Sequence, residues 1–200
     1  MRYIQKGNEP QELRDHRNTL GSRYAASLAL RVALAREQGF LCAFCMRRLD
    51  FDPAKNEQHT TKIAHLSARS WKEGTPADQA RRRLLEQNYH NMVLACNGFS
   101  GTVAHCDEYQ GNRDITLPLF DRAEMARIQF SSSGRISHPN RDYDKQINNE
   151  DKEYVAEMAA QGQRPGFLNL NADALVARRR QRWTSLGGFS TKPGASTATV

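Results

Sequence analysis

The spacing of apolar side chains predicts a helix near the start of the chain. From residue 20 onward they recur at intervals of four, as Tyr24, Leu28 and Val32. This spacing is typical of a helix with one buried face, and Gly39 follows as a stop signal. We therefore predict a helix over residues 20–39, preceded by an extended polar arm over residues 1–18.

Two short apolar runs further along predict strands. Residues 60–66 combine β-branched side chains with alternation, which indicates a strand that ends at or near His65. Residues 92–95 predict a short buried strand that leads to Cys96. A short helix over residues 105–112 is expected to follow it.

Local capping chemistry predicts a helix between these two strands. Thr75 offers a capping hydroxyl, Pro76 suits the first helical position, and Asp78 places an acid in the first turn. We expect this helix to reach about Gln87 and to be followed by a polar loop over residues 88–91.

The C-terminal third predicts smaller elements. A hairpin is expected over residues 126–137, and a charged helix over residues 142–161. A last helix should run from a cap at Asn171 to about Leu186. We expect Trp183 on this helix to be a packing or interface anchor rather than a base-stacking platform. The remaining residues, 187–200, are rich in Gly, Ser, Thr and Pro, which favours disorder.

Length and composition fit one principal core. The 200 residues contain 38% hydrophobic and 26% charged side chains, which are values of a globular protein. No apolar run approaches the roughly 18 residues needed to span a membrane, and the N-terminus lacks the apolar stretch of a secretory signal. We therefore expect a cytoplasmic protein without a membrane partner, in a reducing compartment where clustered cysteines are more often metal ligands than disulfides.

The charge balance favours an anionic partner. A formal net charge of +7 and a pI near 9.5 suit nucleic acid, since Lys and Arg gain affinity for phosphate by releasing counterions. The arginines cluster in runs at residues 47–48, 81–83 and 178–182. Each run could equally be a solvated helix face. We select Arg69, Arg81 and Arg82 as candidate nucleic-acid contacts because they lie close in sequence to the candidate chemistry.

The four cysteines predict a zinc site. Cys42 and Cys45 form a C-x2-C pair on an expected tight turn, and Cys96 with Cys106 can complete a tetrahedral set. The alternative is a group of reduced structural thiols. His105 could replace Cys106 as a ligand, contact phosphate or be exposed, and we favour Cys106.

Three further residues stand in the order of a metal-dependent HNH nuclease. Phosphodiester hydrolysis needs an activated water, neutralisation of phosphate charge and help for the leaving oxygen. HNH-type sites achieve this on a ββα element with one divalent ion, in which a strand histidine deprotonates water, a loop asparagine orients it and a helix residue holds the metal. His65, Asn91 and Asp107 match these roles in that order.

The sequence also resembles a known family. Several motifs look like the PtuB-like HNH endonucleases of retron and Septu anti-phage systems, and together they cover roughly residues 1–186: Met1-Arg-Tyr-Ile-Gln-Lys-Gly7, Cys42-Ala-Phe-Cys45, Lys62-Ile-Ala-His65, Asn88-Tyr-His-Asn-Met-Val-Leu-Ala-Cys96, His105-Cys-Asp107, Gly111-Asn112 and Leu168-Asn-Leu-Asn171. The resemblance implies a nuclease that works beside an SMC- or ABC-type, PtuA-like ATPase subunit. In retron systems a reverse transcriptase and its msDNA are further partners.

The resemblance also assigns roles to individual residues. His65 matches the general base, Asn91 the middle asparagine and Asp107 the helix position that contacts the catalytic Mg²⁺ or Mn²⁺, while the four cysteines match structural zinc ligands. The family usually has an acidic metal ligand before the histidine, and here that residue is Ala64. Either Asp107 suffices with Asn112 or His105, or the site is inactive.

The expected architecture is α+β, with a zinc-stabilised ββα-metal core between an N-terminal helix and a helical C-terminal part. The divisions are residues 1–40, 41–115, 116–186 and the tail 187–200. Two functions remain open: an HNH endonuclease acting on DNA, with tRNA or other RNA as alternative substrate, or an inactive zinc-stabilised nucleic-acid-binding or adaptor subunit. No G-x4-G-K-[ST] loop is present, so an ATPase partner would have to sense the trigger.

Overall fold

The computed structural model describes residues 1–52, 60–69, 75–147, 152–162 and 167–185. Within these ranges the chain is a mixed α+β fold whose sheets are small, as the sequence predicts. The strands are β1 Thr61–His65, β2 Met92–Cys96, β3 Phe99–Ser100, β4 Val103–Ala104, β5 Gln129–Phe130 and β6 Ile136–Ser137. The helices are α1 Gln11–Asn18, α2 Leu28–Glu37, α3 Pro76–Glu86, α4 Cys106–Gln110, α5 Arg122–Ala126, α6 Arg141–Ile147, α7 Lys152–Ala160 and α8 Asp173–Ser185.

The antiparallel pair of β1 and β2 lies at the centre of the fold. Thr61 is opposite Cys96 and His65 is opposite Met92, so both predicted strands are confirmed. Every residue of β2 is buried, because α2 and α4 both pack against this strand. The short α4 begins at Cys106 and ends before Gly111, whose φ of 59° few other residues adopt.

The N-terminal region differs from the prediction in two ways. The expected extended arm contains the helix α1, which buries Leu13, and the strand-like start is held by a hydrogen bond from the Ile4 amide to the Leu119 carbonyl. The second helix begins at Leu28 rather than at residue 20, because the hydroxyl of Ser27 accepts from the Leu30 amide and caps it. Leu20 is fully exposed, so it does not belong to the buried face.

Helix α3 begins where its capping residues predict. The hydroxyl of Thr75 accepts from the Asp78 amide at 3.2 Å, and the Asp78 carboxylate accepts from the Thr75 amide at 3.0 Å. This reciprocal pair is a capping box, and Pro76 occupies the first turn. A single turn of 3-10 helix over Tyr89–Asn91 replaces the predicted polar loop before β2.

The C-terminal third is more segmented than predicted. Ala126, the first residue of the predicted hairpin, is the last residue of α5, and the strands are limited to β5 and β6. The predicted helix over residues 142–161 is described as α6 and α7, and residues 148–151 lie outside the described part. Asn171 does not cap α8: its amide side chain exchanges two 2.9 Å hydrogen bonds with the main chain of Ile136. Leu186 and the tail 187–200 also lie outside the described residues.

One hydrophobic core joins these elements. It contains Leu30 and Leu34 of α2, Leu94 of β2, and Leu168 and Leu170 ahead of α8, all with no exposed surface. The early and late parts of the chain therefore pack around the same central strand pair. In the described residues, no helix is long and apolar enough to cross a membrane.

Candidate metal centre and polar cleft

The four cysteines meet in one buried cluster. Cys42 and Cys45 lie on the loop after α2, Cys96 ends β2, and Cys106 begins α4. Their sulfur atoms all lie within 4.8 Å of one another, and none forms a disulfide. The sequence prediction that these residues share a site is therefore confirmed as geometry.

The sulfur spacing fits a tetrahedral metal ion. The Cys42 and Cys106 sulfurs are 3.9 Å apart, and those of Cys45 and Cys96 are 3.8 Å apart. A tetrahedron with Zn–S bonds of about 2.3 Å has edges of about 3.8 Å. Four thiol groups at these separations could therefore hold a metal such as zinc, bound through all four.

Backbone contacts shape the first half of this cluster. The Cys42 amide donates to the Arg47 carbonyl, and the Met46 amide donates back to the Cys42 carbonyl. Met46 has a φ of 64°, which closes the loop tightly around Cys45. The Ala43 amide also donates to the Leu94 carbonyl of β2, so the loop is attached to the strand that carries Cys96.

The surroundings shift the pKa values of the four cysteines in opposite directions. Burial raises the pKa of the Cys42 and Cys106 thiols well above their ordinary value. Hydrogen bonds from neighbouring thiols, Cys106 first, lower the pKa of Cys45 to about 7 and that of Cys96 further. Four thiolates cannot share a buried site without a positive charge, and a divalent metal would supply it.

His105 supports the cluster from one side. It is fully buried, its Nδ1 lies 3.2 Å from the Cys106 sulfur, and its Nε2 lies 3.0 Å from the Ser100 hydroxyl. The alternatives of an exposed or phosphate-contacting His105 are therefore wrong. The four-sulfur set leaves His105 as a hydrogen-bonding neighbour of the Cys106 sulfur, a role that orients metal ligands in other proteins.

His65 ends β1 at the edge of a polar cleft. Its Nε2 lies 3.0 Å from the Glu86 carbonyl oxygen, and its ring meets the Tyr24 ring edge-on at 4.7 Å. Burial lowers the pKa of His65 to about 4, an effect that the Glu86 carbonyl opposes and the Arg69 charge reinforces. The imidazole is therefore neutral at ordinary pH and able to accept a proton.

The cleft brings together several residues that the sequence singled out. Its volume is about 520 Å³, and its lining includes His65, Asp107, Asn112 and Arg69. Burial raises the pKa of Asp107, although the nearby positive charges of Lys62 and Arg69 oppose this. Among the described residues, the four cysteines are the group whose His, Cys, Asp or Glu ligand atoms converge. The cleft residues therefore share a cavity without forming a preassembled metal cage.

Glu86 is a cleft residue that sequence reasoning missed. Glu86 is the last residue of α3 and lines the cleft. Its main-chain carbonyl accepts the hydrogen bond from His65. No motif marks a helix end that docks beside a strand end. The only available signal was the predicted end of α3 near residue 87, just before the loop that leads back to β2.

Ala64 points away from this cleft. It has no exposed surface, belongs to the hydrophobic core and lies opposite Val93 in the strand pair. The neighbouring Ile63 and His65 line the cleft, as alternation along a strand requires. A carboxylate at position 64 would therefore start from the core face of β1.

Asn91 acts on the loops around His65 rather than on its ring. The Asn91 Oδ1 accepts from the Ser67 amide at 2.7 Å, and its Nδ2 donates to the Ser67 and Leu85 carbonyls. The expectation that Asn91 orients His65 directly is wrong, because the Glu86 carbonyl holds the imidazole. Asn91 joins the segment after β1 to the end of α3, and so fixes the two segments that carry His65 and Glu86.

The three candidate nucleic-acid contacts have different surroundings. Arg69 lines the cleft and lies 4.7 Å above the Tyr24 ring, and Arg81 is exposed on α3. Arg82 is mostly buried and makes two 2.9 Å hydrogen bonds to the Asp114 carboxylate. Its charge is already used in the fold, which leaves Arg69 and Arg81 as the better-placed pair.

Neither a search of models of known protein families nor a search of curated proteins found a match for this chain.

Proposed function

We propose that the chain is a metal-dependent endonuclease of the HNH type, with DNA as the favoured substrate and tRNA or other RNA as the alternative. The observation that carries this proposal is the neutral, buried His65, which shares a polar cleft with Asp107 and Asn112 of the following helical segment. His65 ends β1, Asp107 lies in the short helix α4 and Asn112 follows that helix, which is the order expected of such a site.

The contact of His65 with Glu86 defines its chemistry. A carbonyl oxygen can only accept, so Nε2 carries the hydrogen and Nδ1 keeps the lone pair. Nδ1 would take the proton from the attacking water. Because the ring is held by main chain, its orientation does not depend on a flexible partner.

Oxygen ligands in the cleft suit Mg²⁺ or Mn²⁺, which prefer carboxylates and amide oxygens. Asp107 and Asn112 would contact the ion, and Glu86 lies in the same lining. The ion would neutralise phosphate charge and stabilise the leaving oxygen. Arg69 adds a fixed positive charge for the backbone of the substrate.

Zinc has a separate, structural role in this proposal. The thiol cluster of Cys42, Cys45, Cys96 and Cys106 would bind it as a closed four-ligand site. Cys106 immediately precedes Asp107, so the zinc would fix the start of the helix that carries the cleft carboxylate. Such a scaffold compensates for sheets too small to be stable alone.

The biological setting rests on the resemblance to PtuB-like proteins. It favours an anti-phage complex in the cytoplasm, in which a PtuA-like ATPase subunit controls the nuclease. The positive net charge of the chain is consistent with a nucleic-acid substrate.

A second candidate function is that of an inactive, zinc-stabilised nucleic-acid-binding or adaptor subunit. The observation that favours it is that the cleft residues do not form a converged ligand group among the described residues, whereas the cysteines do. Ala64, in place of the family's usual acidic ligand, points the same way.

Nicking of supercoiled plasmid in Mg²⁺ or Mn²⁺, with and without the ATPase subunit, tests the proposal. The parent should cut, and His65→Ala should lose about 100-fold or more of the rate. His90→Ala, which changes an exposed histidine nearby, is the matched control. If plasmid is not cut, the same variants are tested on tRNA; unchanged cleavage in His65→Ala would refute the mechanism, and no cleavage of any substrate would favour the adaptor.

A further inference from the structure

A second cavity lies between the cysteine loop, the β5–β6 hairpin and α8. Its volume is about 760 Å³, and it shares no lining residue with the cleft around His65. The loop that carries Cys45 forms one wall, and the last turns of α8 form the other. We call this cavity the arginine groove.

The groove carries positive charge that the fold does not use. Among the described residues no Asp or Glu lines it, and five arginines do. Arg179 is bound to the Gly134 and Leu170 carbonyls, and Arg47 to Asn97. The other three are exposed, and their guanidinium groups have no hydrogen bond or ion pair within the described part of the chain: Arg48, Arg178 and Arg182.

Two exposed aromatic rings accompany these arginines. Phe130 on β5 is 48% exposed and Trp183 on α8 is 40% exposed, although both are large apolar side chains. The floor beneath them is nearly closed to solvent, because Phe44, Ile136 and Leu175 are each at most 4% exposed. The rings of Phe130 and Trp183 therefore offer a ligand more apolar surface than the buried residues beneath them do.

We propose that the arginine groove binds single-stranded nucleic acid, with bases stacked on Trp183 and Phe130 and phosphates on Arg48, Arg178 and Arg182. Flat rings and guanidinium groups that line one cavity suit this ligand, since every base has a face to stack and every nucleotide carries a phosphate. An acidic amphipathic helix is the other ligand of matching charge. It would need a continuous exposed apolar stripe, which the buried floor does not supply.

This assignment changes the expectation for Trp183 and goes beyond the proposed nuclease. Trp183 does not belong to the hydrophobic core, and 40% of its surface stays exposed. The groove would hold a strand at a site distinct from the cleft, so binding there does not require that the cleft cut anything.

Fluorescence anisotropy with a labelled oligothymidine of about 12 nucleotides tests the proposal. The full chain carries His65→Ala in every variant, so the probe stays intact and binding is separated from cleavage. Trp183→Ala should weaken binding by roughly 5- to 150-fold, the range for loss of one stacked base. Removing Arg178 and Arg182 together should reduce the salt dependence of log K by about 0.7 for each phosphate that the groove no longer neutralises.

Arg180→Ala is the matched control, because Arg180 lies on α8 but lines a different surface with Ser133 and Asp173. It should bind like the parent in the same His65→Ala background, and a duplex of equal length should bind more weakly than the single strand. The proposal is overturned if Trp183→Ala binds as tightly as the parent, if Arg180→Ala is as damaging as the Arg178 and Arg182 pair, or if an acidic helical peptide binds the groove and the oligonucleotide does not.

Discussion

The imidazole of His65 donates its Nε2 hydrogen to the main-chain carbonyl of Glu86 over 3.0 Å. This contact joins the end of β1 to the end of α3, although 21 residues separate the two in sequence. Because the acceptor is main chain, substitution of the Glu86 side chain leaves the orientation of the histidine in place. The carboxylate and the carbonyl of one residue can therefore be tested separately.

We predict that His65 makes the free energy of unfolding depend on pH between about 4 and 6.5. Burial lowers its pKa in the folded protein to about 4, from an ordinary value of 6.5. Within this window the unfolded chain binds a proton that the folded chain does not, so stability falls as the pH falls. The loss should be on the order of 3 kcal/mol by about pH 4.

Urea unfolding across that pH range, with the parent, His65→Gln and His90→Gln, measures this effect. His65→Gln should lose most of the pH dependence, whereas His90→Gln should retain it because His90 is exposed. Parallel pH profiles for all three proteins would show that His65 titrates normally.

We predict that the purified protein holds one zinc ion per chain and depends on it for folding. Cys45→Ser should reduce the zinc content and lower the Tm by about 10 °C or more, since a closed four-sulfur site contributes directly to stability. Metal analysis by mass spectrometry and thermal unfolding measure the two effects. His105→Gln should keep its zinc, because His105 contacts the Cys106 sulfur without belonging to the four-sulfur set. If His105→Gln loses its zinc, His105 rather than Cys106 is the metal ligand.

We predict that Ala64→Glu destabilises the protein instead of creating a better metal site. Ala64 has no exposed surface, so the new carboxylate would be buried without a partner at a cost of about 3 kcal/mol or more. Denaturant unfolding compares it with Ala80→Glu, which places the same group on the exposed surface of α3. Equal stability of the two variants, or faster cleavage by Ala64→Glu, would mean that position 64 can reach the cleft.

We predict that Asn91→Ala reduces both stability and cleavage. The side chain makes three hydrogen bonds that join Ser67 to Leu85, and their loss leaves buried groups without partners at a cost of about 1–3 kcal/mol. Unfolding and nicking are measured on the same preparation, with Asn8→Ala as an exposed control. Asn91→Asp keeps the acceptor but loses the donors, and should remain defective. Full activity in Asn91→Ala would show that the loops around His65 hold their positions without it.

Local chemistry made some elements predictable from the sequence. Helix α3 follows directly from Thr75, Pro76 and Asp78, whose interactions all lie within one turn. The two central strands and the meeting of the cysteines were also predictable, because β-branched runs and ligand spacing carry strong local signals. The helix and the strands depend on residues that are close in sequence, and the cluster depends on cysteines, which can be recognised by residue type.

Contacts between distant segments explain what was missed. Helix α1 buries Leu13, and α2 starts at Leu28 because the Ser27 hydroxyl caps it, whereas the apolar spacing alone extends the pattern to residue 20. The partner of His65 is a main-chain carbonyl, which no residue type reveals. Asn171 was expected to cap α8 but pairs with Ile136, 35 residues away.

The proposed zinc site would also link the activity of the protein to the supply of metal in a cell. Cys42 and Cys106 are 64 positions apart in sequence, and a metal bound by both would join the two ends of that segment. Cys106 precedes the cleft residue Asp107, and Cys45 lines the arginine groove. Both surfaces therefore adjoin the proposed zinc site. Newly synthesised chains would therefore stay dormant until zinc reaches them, and zinc starvation would silence both surfaces at once.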